Sequence, residues 1–295
     1  MEQHFNTPSE VIDTNMKAGE GKAHLPLGKM ILLGIMAGAF IALGGATSST
    51  AAHAIDNVGL ARFVAGIIFP VGLMIIVFVG GELFTGNCLI VMDVVGKKVT
   101  WFECIRNLIV VYFSNLIVVY FSNLIGALII DTLIYFSGNL DYTGGLLGAY
   151  AIKVAVGKVG ISPLKGITSG ILCNILVCIA ILMAVAATDI VGKVWAIFFP
   201  IMAFVVGGFE HCVANMFYIP VGMMAAQNPV YVAKAQEAYG LTAEQIQGLT
   251  ILHSLNNFIP VTIGNILGGM VFVGIPCYFI YKKKWQKWHE ESKNA

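Results

Sequence analysis

Long apolar runs separated by short polar stretches dominate this chain. Each run reaches the ~20 residues that an α-helix needs to cross the hydrocarbon core of a membrane. Their approximate limits are 28–50, 61–96, 102–137, 162–187, 194–226 and 250–281. The pattern predicts an all-α, multi-pass membrane protein with six transmembrane helices and no cleavable leader. Residues 138–161 are predicted to form a glycine-rich loop, and residues 227–248 a polar one with a helix start near Thr242.

Composition supports membrane insertion. Hydrophobic residues make up 58% of the 295-residue chain and charged residues 11%, with a mean hydropathy of +0.83. Soluble domains carry about 25% charged residues. The net charge of +1 gives no indication of a nucleic-acid partner. The six cysteines lie in apolar stretches without a CxxC pair, so we expect packing roles and predict no metal, cofactor or catalytic site.

The two ends of the chain differ from the apolar core, 28–281. Residues 1–27 form a polar segment in which Thr7-Pro8-Ser9-Glu10 is typical of a helix start. The weak apolar face that follows leaves three alternatives, namely a helix on the cytoplasmic surface, a lid or a solvated tail. Residues 282–295 are basic and aromatic, as is usual at a cytoplasmic interface. With both ends inside, 12 of the 17 Lys and Arg residues fall on the cytoplasmic side, as the positive-inside rule requires.

Two of the apolar runs are interrupted by polar residues and glycines. The second contains the sequence GGELFTGN, which spans Gly80 to Asn87, and the fifth contains GGFEHCVAN, which spans Gly207 to Asn215. Irregular backbone at membrane depth is tolerated only where it is buried in protein or lines a wet cavity. His211 is therefore either a buried histidine bonded to a neighbouring helix or, as we favour, a histidine facing a permeation path.

The two halves of the chain, 28–137 and 162–281, resemble each other. Phe69-Pro70 precedes the first interruption as Phe199-Pro200 precedes the second, and the motif beginning at Asn123 (NLIG) matches that beginning at Asn265 (NILG). Each half has three spans, so the second half is inverted in the membrane. An inverted repeat with one broken helix per half is typical of transport proteins whose path runs near the midplane.

The third run is too long for one span. The octapeptide LIVVYFSN occurs twice in tandem, at 108–115 and 116–123. Removing one copy leaves a span of ordinary length, and the second half has only one equivalent eight-residue interval. We interpret the extra copy as a recent duplication or a sequence artefact rather than a functional repeat.

Several side chains suit the passage of a small anion, which must exchange its water shell for other donors. Neutral donors are available from Thr85, Asn174, Asn215 and Asn265, although Asn174 and Asn265 are equally suited to holding helices together. His211 can act as a cation or a proton donor, and Lys158 can attract anions at the outer mouth. Apolar candidates for dry constrictions, each also explicable as packing, are Phe69, Leu73, Phe84 and Phe204. Glu82 and Glu210 are interpreted as braces of helix ends rather than proton-linked groups.

The motifs GGELFTGN, GGFEHCVANMFYIP and PVTIGNILGG resemble those of the formate/nitrite transporter family along nearly the whole chain. The resemblance implies an aquaporin-like protomer with helices 2 and 5 broken, one path per protomer, and assembly as a homopentamer in the inner membrane. It implies a central His211 with Thr85 as its partner on a loop that also holds Leu83 and Phe84. The remaining implied positions are a constriction of Phe69, Leu73 and Phe84, a second containing Phe204, and the polar positions Lys158, Asn174 and Asn265. The helix-break glycines follow from the two interruptions themselves and are Gly80, Gly81, Gly86, Gly207 and Gly208.

The substrate class follows from the resemblance, and the individual substrate does not. Members of the family carry formate, nitrite or hydrosulfide, and the sequence of residues 82–87 more closely resembles that of the hydrosulfide or nitrite branch. A neutral-solute channel of the aquaporin type is the alternative, but it would require two Asn-Pro-Ala helix caps. The Asn-Pro pair at Asn228-Pro229 lies in a predicted loop. Proton-linked passage at His211 and passage of the bare anion both remain open.

Overall fold

The computed structural model describes residues 5–23, 25–96 and 113–282, in which ordered structure is almost entirely helical. In chain order the helices are α1 Pro8–Ala23, α2 Leu27–Ala52, α3 Val58–Ile68, α4 Val71–Val79, α5 Phe84–Asn87, α6 Val91–Gly96, α7 Phe113–Phe136, α8 Tyr142–Val159, α9 Pro163–Ala186, α10 Ile190–Gly207, α11 Cys212–Ala225, α12 Pro229–Tyr239, α13 Ala243–Gln247, α14 Ile251–Gly269 and α15 Ile275–Tyr281. A π-helical segment, Met270–Gly274, joins α14 to α15.

The six-span prediction is confirmed. Within the described residues, six helical segments are long and apolar enough to cross a membrane: Leu27–Ala52, Val58–Val79, Asn115–Phe136, Pro163–Ala186, Ile190–Gly207 and Ile251–Tyr281. The shorter apolar helices, Phe84–Gly96 and Cys212–Ala225, follow the second and fifth spans. Most of the first octapeptide copy and most of the basic C-terminal segment lie outside the described residues.

The inverted repeat is visible in how the helices pack. Helix α2 packs along α7 in the first half, and α9 packs along α14 in the second. Both pairs approach through glycines, because a Cβ on Gly38 would collide with the backbone of Asn123 and one on Gly268 with the backbone of Ile171. Small residues of this kind let helix backbones approach closely in lipid, where apolar burial gives no extra driving force.

The prediction of a loop at 138–161 is wrong. Thr143, Gly144 and Gly145 have positive φ values and turn the chain, and a regular helix then continues to Val159. The glycines that suggested a loop serve this turn and the packing of α8, since a Cβ on Gly148 would overlap the ring of Tyr231. Two short helices, α12 and α13, likewise occupy the stretch predicted to be polar loop, and Thr242 caps α13 as expected.

Helix α1 packs on the protein instead of extending into solvent. The hydroxyl of Thr7 donates to Oε2 of Glu10 at 2.7 Å, which confirms the predicted helix start. Val11 and Ile12 are buried. The hydroxyl of Ser9 donates to the carbonyl of Tyr281 at 3.0 Å. The two ends of the described chain therefore lie on the same face of the bundle.

Candidate functional site

Two breaks in the bundle define the site. The first break follows α4, where Gly80 has a φ of +104°, and ends at the start of α5. The second follows α10, where Gly208 has a φ of +68°, and ends at the start of α11. Only glycine adopts such backbone angles without strain. The paired glycines of the sequence therefore mark the residues at which each helix stops.

Asn265 joins the second break to two helices of the bundle. Its Oδ1 accepts from the backbone N–H of Cys212 at 2.8 Å, and its Nδ2 donates to the carbonyls of Gly170 at 2.8 Å and Glu210 at 3.0 Å. All three bonds are buried, and the side chain has no donor left over for a permeating species. This geometry supports the helix-joining alternative for Asn265.

Asn123 makes the same contacts at the first break. Its Oδ1 accepts from the backbone N–H of Phe84 at 3.0 Å, and its Nδ2 donates to the carbonyls of Gly34 at 2.8 Å and Glu82 at 2.9 Å. The equivalence of Asn123 and Asn265 extends the inverted repeat to individual hydrogen bonds. The matching motifs at 123–126 (NLIG) and 265–268 (NILG) carry this signal in the sequence.

Glu210 is fully engaged by donors. Its carboxylate accepts from Nζ of Lys158 at 3.0 and 3.1 Å, from Nδ2 of Asn215 at 2.7 Å and from Nδ2 of Asn257 at 3.1 Å. Glu82 accepts from Nδ2 of Asn87 at 2.8 Å and pairs with Lys22 of α1 at 3.2 Å. Both carboxylates make the contacts expected of groups that brace a helix end. The charge of the Lys158 ammonium is compensated by Glu210.

His211 lies at the start of α11 and bridges the two breaks. Its Nδ1 accepts from the backbone N–H of Ala214 at 2.9 Å, and its Nε2 lies 2.9 Å from Oγ1 of Thr85. Since Nδ1 accepts a hydrogen bond, the ring proton must sit on Nε2 and be donated to the threonine oxygen. The hydroxyl hydrogen of Thr85 is then the group that can donate onward. Both residues are buried.

Aromatic rings cover one side of this pair. The ring of Phe204 stacks on His211 with centroids 5.8 Å apart and meets the ring of Phe69 edge to face at 5.5 Å. Phe69 and Leu73 are each 2% exposed. The structure therefore groups Phe69 with Phe204, whereas the resemblance had assigned them to different constrictions. The edge-to-face contact between the α3–α4 junction and α10 could not be predicted from either segment alone.

Phe84 has a different aromatic partner. Its ring meets that of Tyr120 edge to face at 4.9 Å, and the hydroxyl of Tyr120 accepts from Thr262 at 3.2 Å. Leu83, which precedes α5, is buried. No sequence pattern singles out Tyr120, which lies in the second copy of the octapeptide.

The remaining polar candidates are committed to the protein. Nδ2 of Asn174 donates to the carbonyls of Thr85 at 3.2 Å and Asn265 at 2.6 Å. Nδ2 of Asn215 donates to Glu210 and Asn257, and its Oδ1 has no partner among the described residues. Both N–H groups of each amide are already used, so neither side chain offers a free donor to an anion.

The other glycines of the breaks lie close to neighbouring side chains. A Cβ on Gly81, Gly86 or Gly207 would come within 3.1, 2.7 or 3.0 Å of Ala37, Ile181 or Phe209, respectively. In the part of the chain that the structure describes, no group of three His, Cys, Asp or Glu residues is arranged to hold a metal ion.

An apolar six-span bundle whose two interrupted helices meet at a buried histidine and threonine defines a membrane channel or transporter of the inverted-repeat class. Comparison with known proteins specifies this class further. The model of the formate/nitrite transporter family matches residues 9–279, and the chain belongs to that family. Because this is a family of transporters, the protein is not an enzyme.

Named relatives cover almost the whole chain. A probable formate transporter of Methanothermobacter thermautotrophicus is 38% identical over 96% of this chain and 100% of its own length. The formate channel FocA of Haemophilus influenzae is 35% identical over 91% and 92% of the two chains. A solved structure described as a pentameric formate channel with formate bound is 35% identical, with a TM-score of 0.73 over 86% of this chain and 97% of that one.

Proposed function

We propose that this protein carries small monovalent anions of weak acids across the inner membrane of the cell. Its similarity to proteins named as formate transporters and channels makes formate the first substrate to test. Nitrite and hydrosulfide share its size and single charge and are tested beside it. The sequence of residues 82–87 favours nitrite or hydrosulfide, whereas the named relatives favour formate.

We further propose a homopentamer with one path per protomer and both termini in the cytoplasm. The pentameric assembly of the similar solved structure supports the oligomer. The contact between Ser9 and the carbonyl of Tyr281 supports termini on one side of the membrane, and the Lys and Arg distribution supports the cytoplasmic side. Exposed Ile129, Leu133 and Phe136 on α7 suit a surface in contact with lipid or with a second protomer.

The hydrogen bond between Thr85 and His211 is the observation on which the proposal depends. It lies where the two breaks meet and against the aromatic pair Phe69 and Phe204. With Nε2–H donated to its oxygen, Thr85 presents a hydroxyl hydrogen at the centre of an apolar passage. A neutral donor of this kind can replace one water of a permeant without binding it as tightly as a fixed cation would.

Proton-linked passage fits this geometry better than passage of a bare anion. Desolvation disfavours the charged form of a weak acid and so raises its pKa as it enters the constriction. The permeant then takes a proton from water and crosses nearly neutral. A cationic His211 would need a proton on Nδ1, where it would face the N–H of Ala214 and break the helix cap.

The test is uptake by proteoliposomes of formate, nitrite and hydrosulfide across a pH series, with proton flux measured in parallel. His211→Phe is expected to abolish uptake and leave the pentamer intact. His253→Phe is the matched control, because His253 is exposed in the first turn of α14 and bonds to the carbonyl of Gly248, which precedes that helix. Uptake that survives His211→Phe would exclude the central role, and anion current without proton flux would exclude the proton-linked route. Osmotic water flow without anion uptake would favour the neutral-solute alternative.

A further inference from the structure

A stripe of residues leads from the constriction to the end of α3. Arg62, Gly66, Phe69 and Leu73 follow one another at spacings of four, three and four, which places them on one face of the α3–α4 segment. Phe69 and Leu73 belong to the buried constriction, whereas Arg62 is exposed. Arg62 precedes Phe69 by seven residues, or about 10 Å along a helix. It therefore lies at the mouth of the proposed path.

The guanidinium of Arg62 lies directly over the second break. Its Nη1 donates to the carbonyl of Val206 at 3.3 Å and stands 2.5 Å from the position that a Cβ on Gly208 would occupy. That bond engages one of the five N–H groups of a guanidinium. Among residues 5–23, 25–96 and 113–282, no carboxylate forms an ion pair with Arg62.

A second cation lies on the same side of the bundle. Nζ of Lys153 is 4.5 Å from the ring centroid of Tyr239 and 5.8 Å from that of Tyr150. Burial raises the pKa of Tyr150, and the positive charge of Arg62 opposes that rise, so Arg62 lies within electrostatic range of a ring that Lys153 also approaches. Burial raises the pKa of Tyr239, and the negative charge of Asp56 raises it further, so one carboxylate lies within electrostatic range of the ring that Lys153 contacts. We name Arg62 and Lys153 the outer-mouth cluster.

The charge of Lys158, in contrast, contributes little to the attraction of an anion. Both oxygens of Glu210 hold its ammonium at 3.0 and 3.1 Å, so the pair is close to neutral when seen from the mouth. Arg62 has no carboxylate partner among the described residues, so its positive charge remains available to an anion at the outer mouth. Clefts lined by one sign of charge raise the local concentration and the entry rate of the opposite charge.

We propose that Arg62, supported by Lys153, is the site that captures the anion before it enters the constriction formed by Phe69 and Phe204. The planar guanidinium matches a carboxylate or nitrite through two parallel N–H···O bonds, which an ammonium cannot reproduce. This inference rests on the proposed function and assigns its entry step. It concerns apparent affinity and salt dependence, whereas the centre at His211 sets the rate of passage.

The experiment measures initial rates of formate uptake by proteoliposomes against formate concentration, at low and high ionic strength. Arg62→Gln is expected to raise KM about three- to tenfold, to leave Vmax within about twofold, and to flatten the dependence of KM on salt. Arg62→Lys keeps the charge and is expected to retain the salt dependence with a smaller rise in KM. Lys234→Gln is the matched control, because Lys234 is partly exposed and paired with Glu237 on α12.

Three outcomes would overturn the inference. An unchanged KM and an unchanged salt dependence in Arg62→Gln would show that Arg62 does not capture the anion. A fall in Vmax with constant KM, together with a lower melting temperature, would make Arg62 a brace for the end of α10. If the unmodified protein took up neither formate, nitrite nor hydrosulfide, the proposed function would fail as well, so the two failures are distinguishable.

Discussion

Replacing Asn265 with leucine should loosen the second break. The substitution preserves side-chain bulk but removes three buried hydrogen bonds. The carbonyl of Gly170 lies inside α9 and keeps its intrahelical partner. The N–H of Cys212 and the carbonyl of Glu210 lie at the break and lose theirs. Each buried polar group left unpaired costs about 1–3 kcal/mol, so the predicted loss of stability is about 2–6 kcal/mol.

Unfolding in mixed micelles by added SDS, followed by tryptophan fluorescence, measures this loss. Asn265→Asp should be no milder than Asn265→Leu, because it places an acceptor against two carbonyls while keeping the bond from Cys212. Thr168→Val is the control on α9, where the exposed hydroxyl of Thr168 bonds only to Leu164 and Lys165 of its own helix. That control should change stability by no more than about 0.5 kcal/mol. A value for Asn265→Leu within about 1 kcal/mol of the unmodified protein would refute the reasoning.

Two further predictions concern other buried polar groups. Thr85→Val keeps the shape of the side chain but removes the hydroxyl that His211 orients. Formate uptake in proteoliposomes should therefore fall about tenfold or more, while the pentamer persists on size-exclusion chromatography. Undiminished uptake would contradict a donor role for Thr85. Asp131 is fully buried in α7, and neither carboxylate oxygen has a hydrogen-bond partner among the described residues. Asp131→Val should therefore raise stability in the SDS titration by about 1–3 kcal/mol, and a loss of stability would indicate a partner or ligand for the carboxyl.

The features that sequence reasoning predicted are those encoded locally. A span requires a sufficiently long apolar run, and a break requires glycine at a positive φ beside polar residues, as at Gly80 and Gly208. The inverted repeat was visible in the sequence because each half stabilises its helix break with the same kinds of side chain. Asn123 and Asn265 occupy matching motifs and make matching bonds.

The features that were missed depend on contacts between distant segments. Tyr120 meets Phe84, Phe69 meets Phe204, and Arg62 reaches the carbonyl of Val206, each across a long stretch of chain. No periodicity along one helix reports such contacts. The loop prediction at 138–161 failed for another reason, since glycine serves close packing as well as turns in a membrane protein.

The charges at the two breaks change how any Lys158 variant should be interpreted. Glu210 with Lys158 and Glu82 with Lys22 form a carboxylate–ammonium pair at each break. Removing one partner of a buried pair leaves the other charge uncompensated, which destabilises the surroundings irrespective of any anion. Lost uptake in Lys158→Met alone would therefore not distinguish anion attraction from a damaged brace. Combining Lys158→Met with Glu210→Gln leaves no stranded charge and keeps an amide oxygen to accept from Asn215 and Asn257, so this double variant separates the two roles.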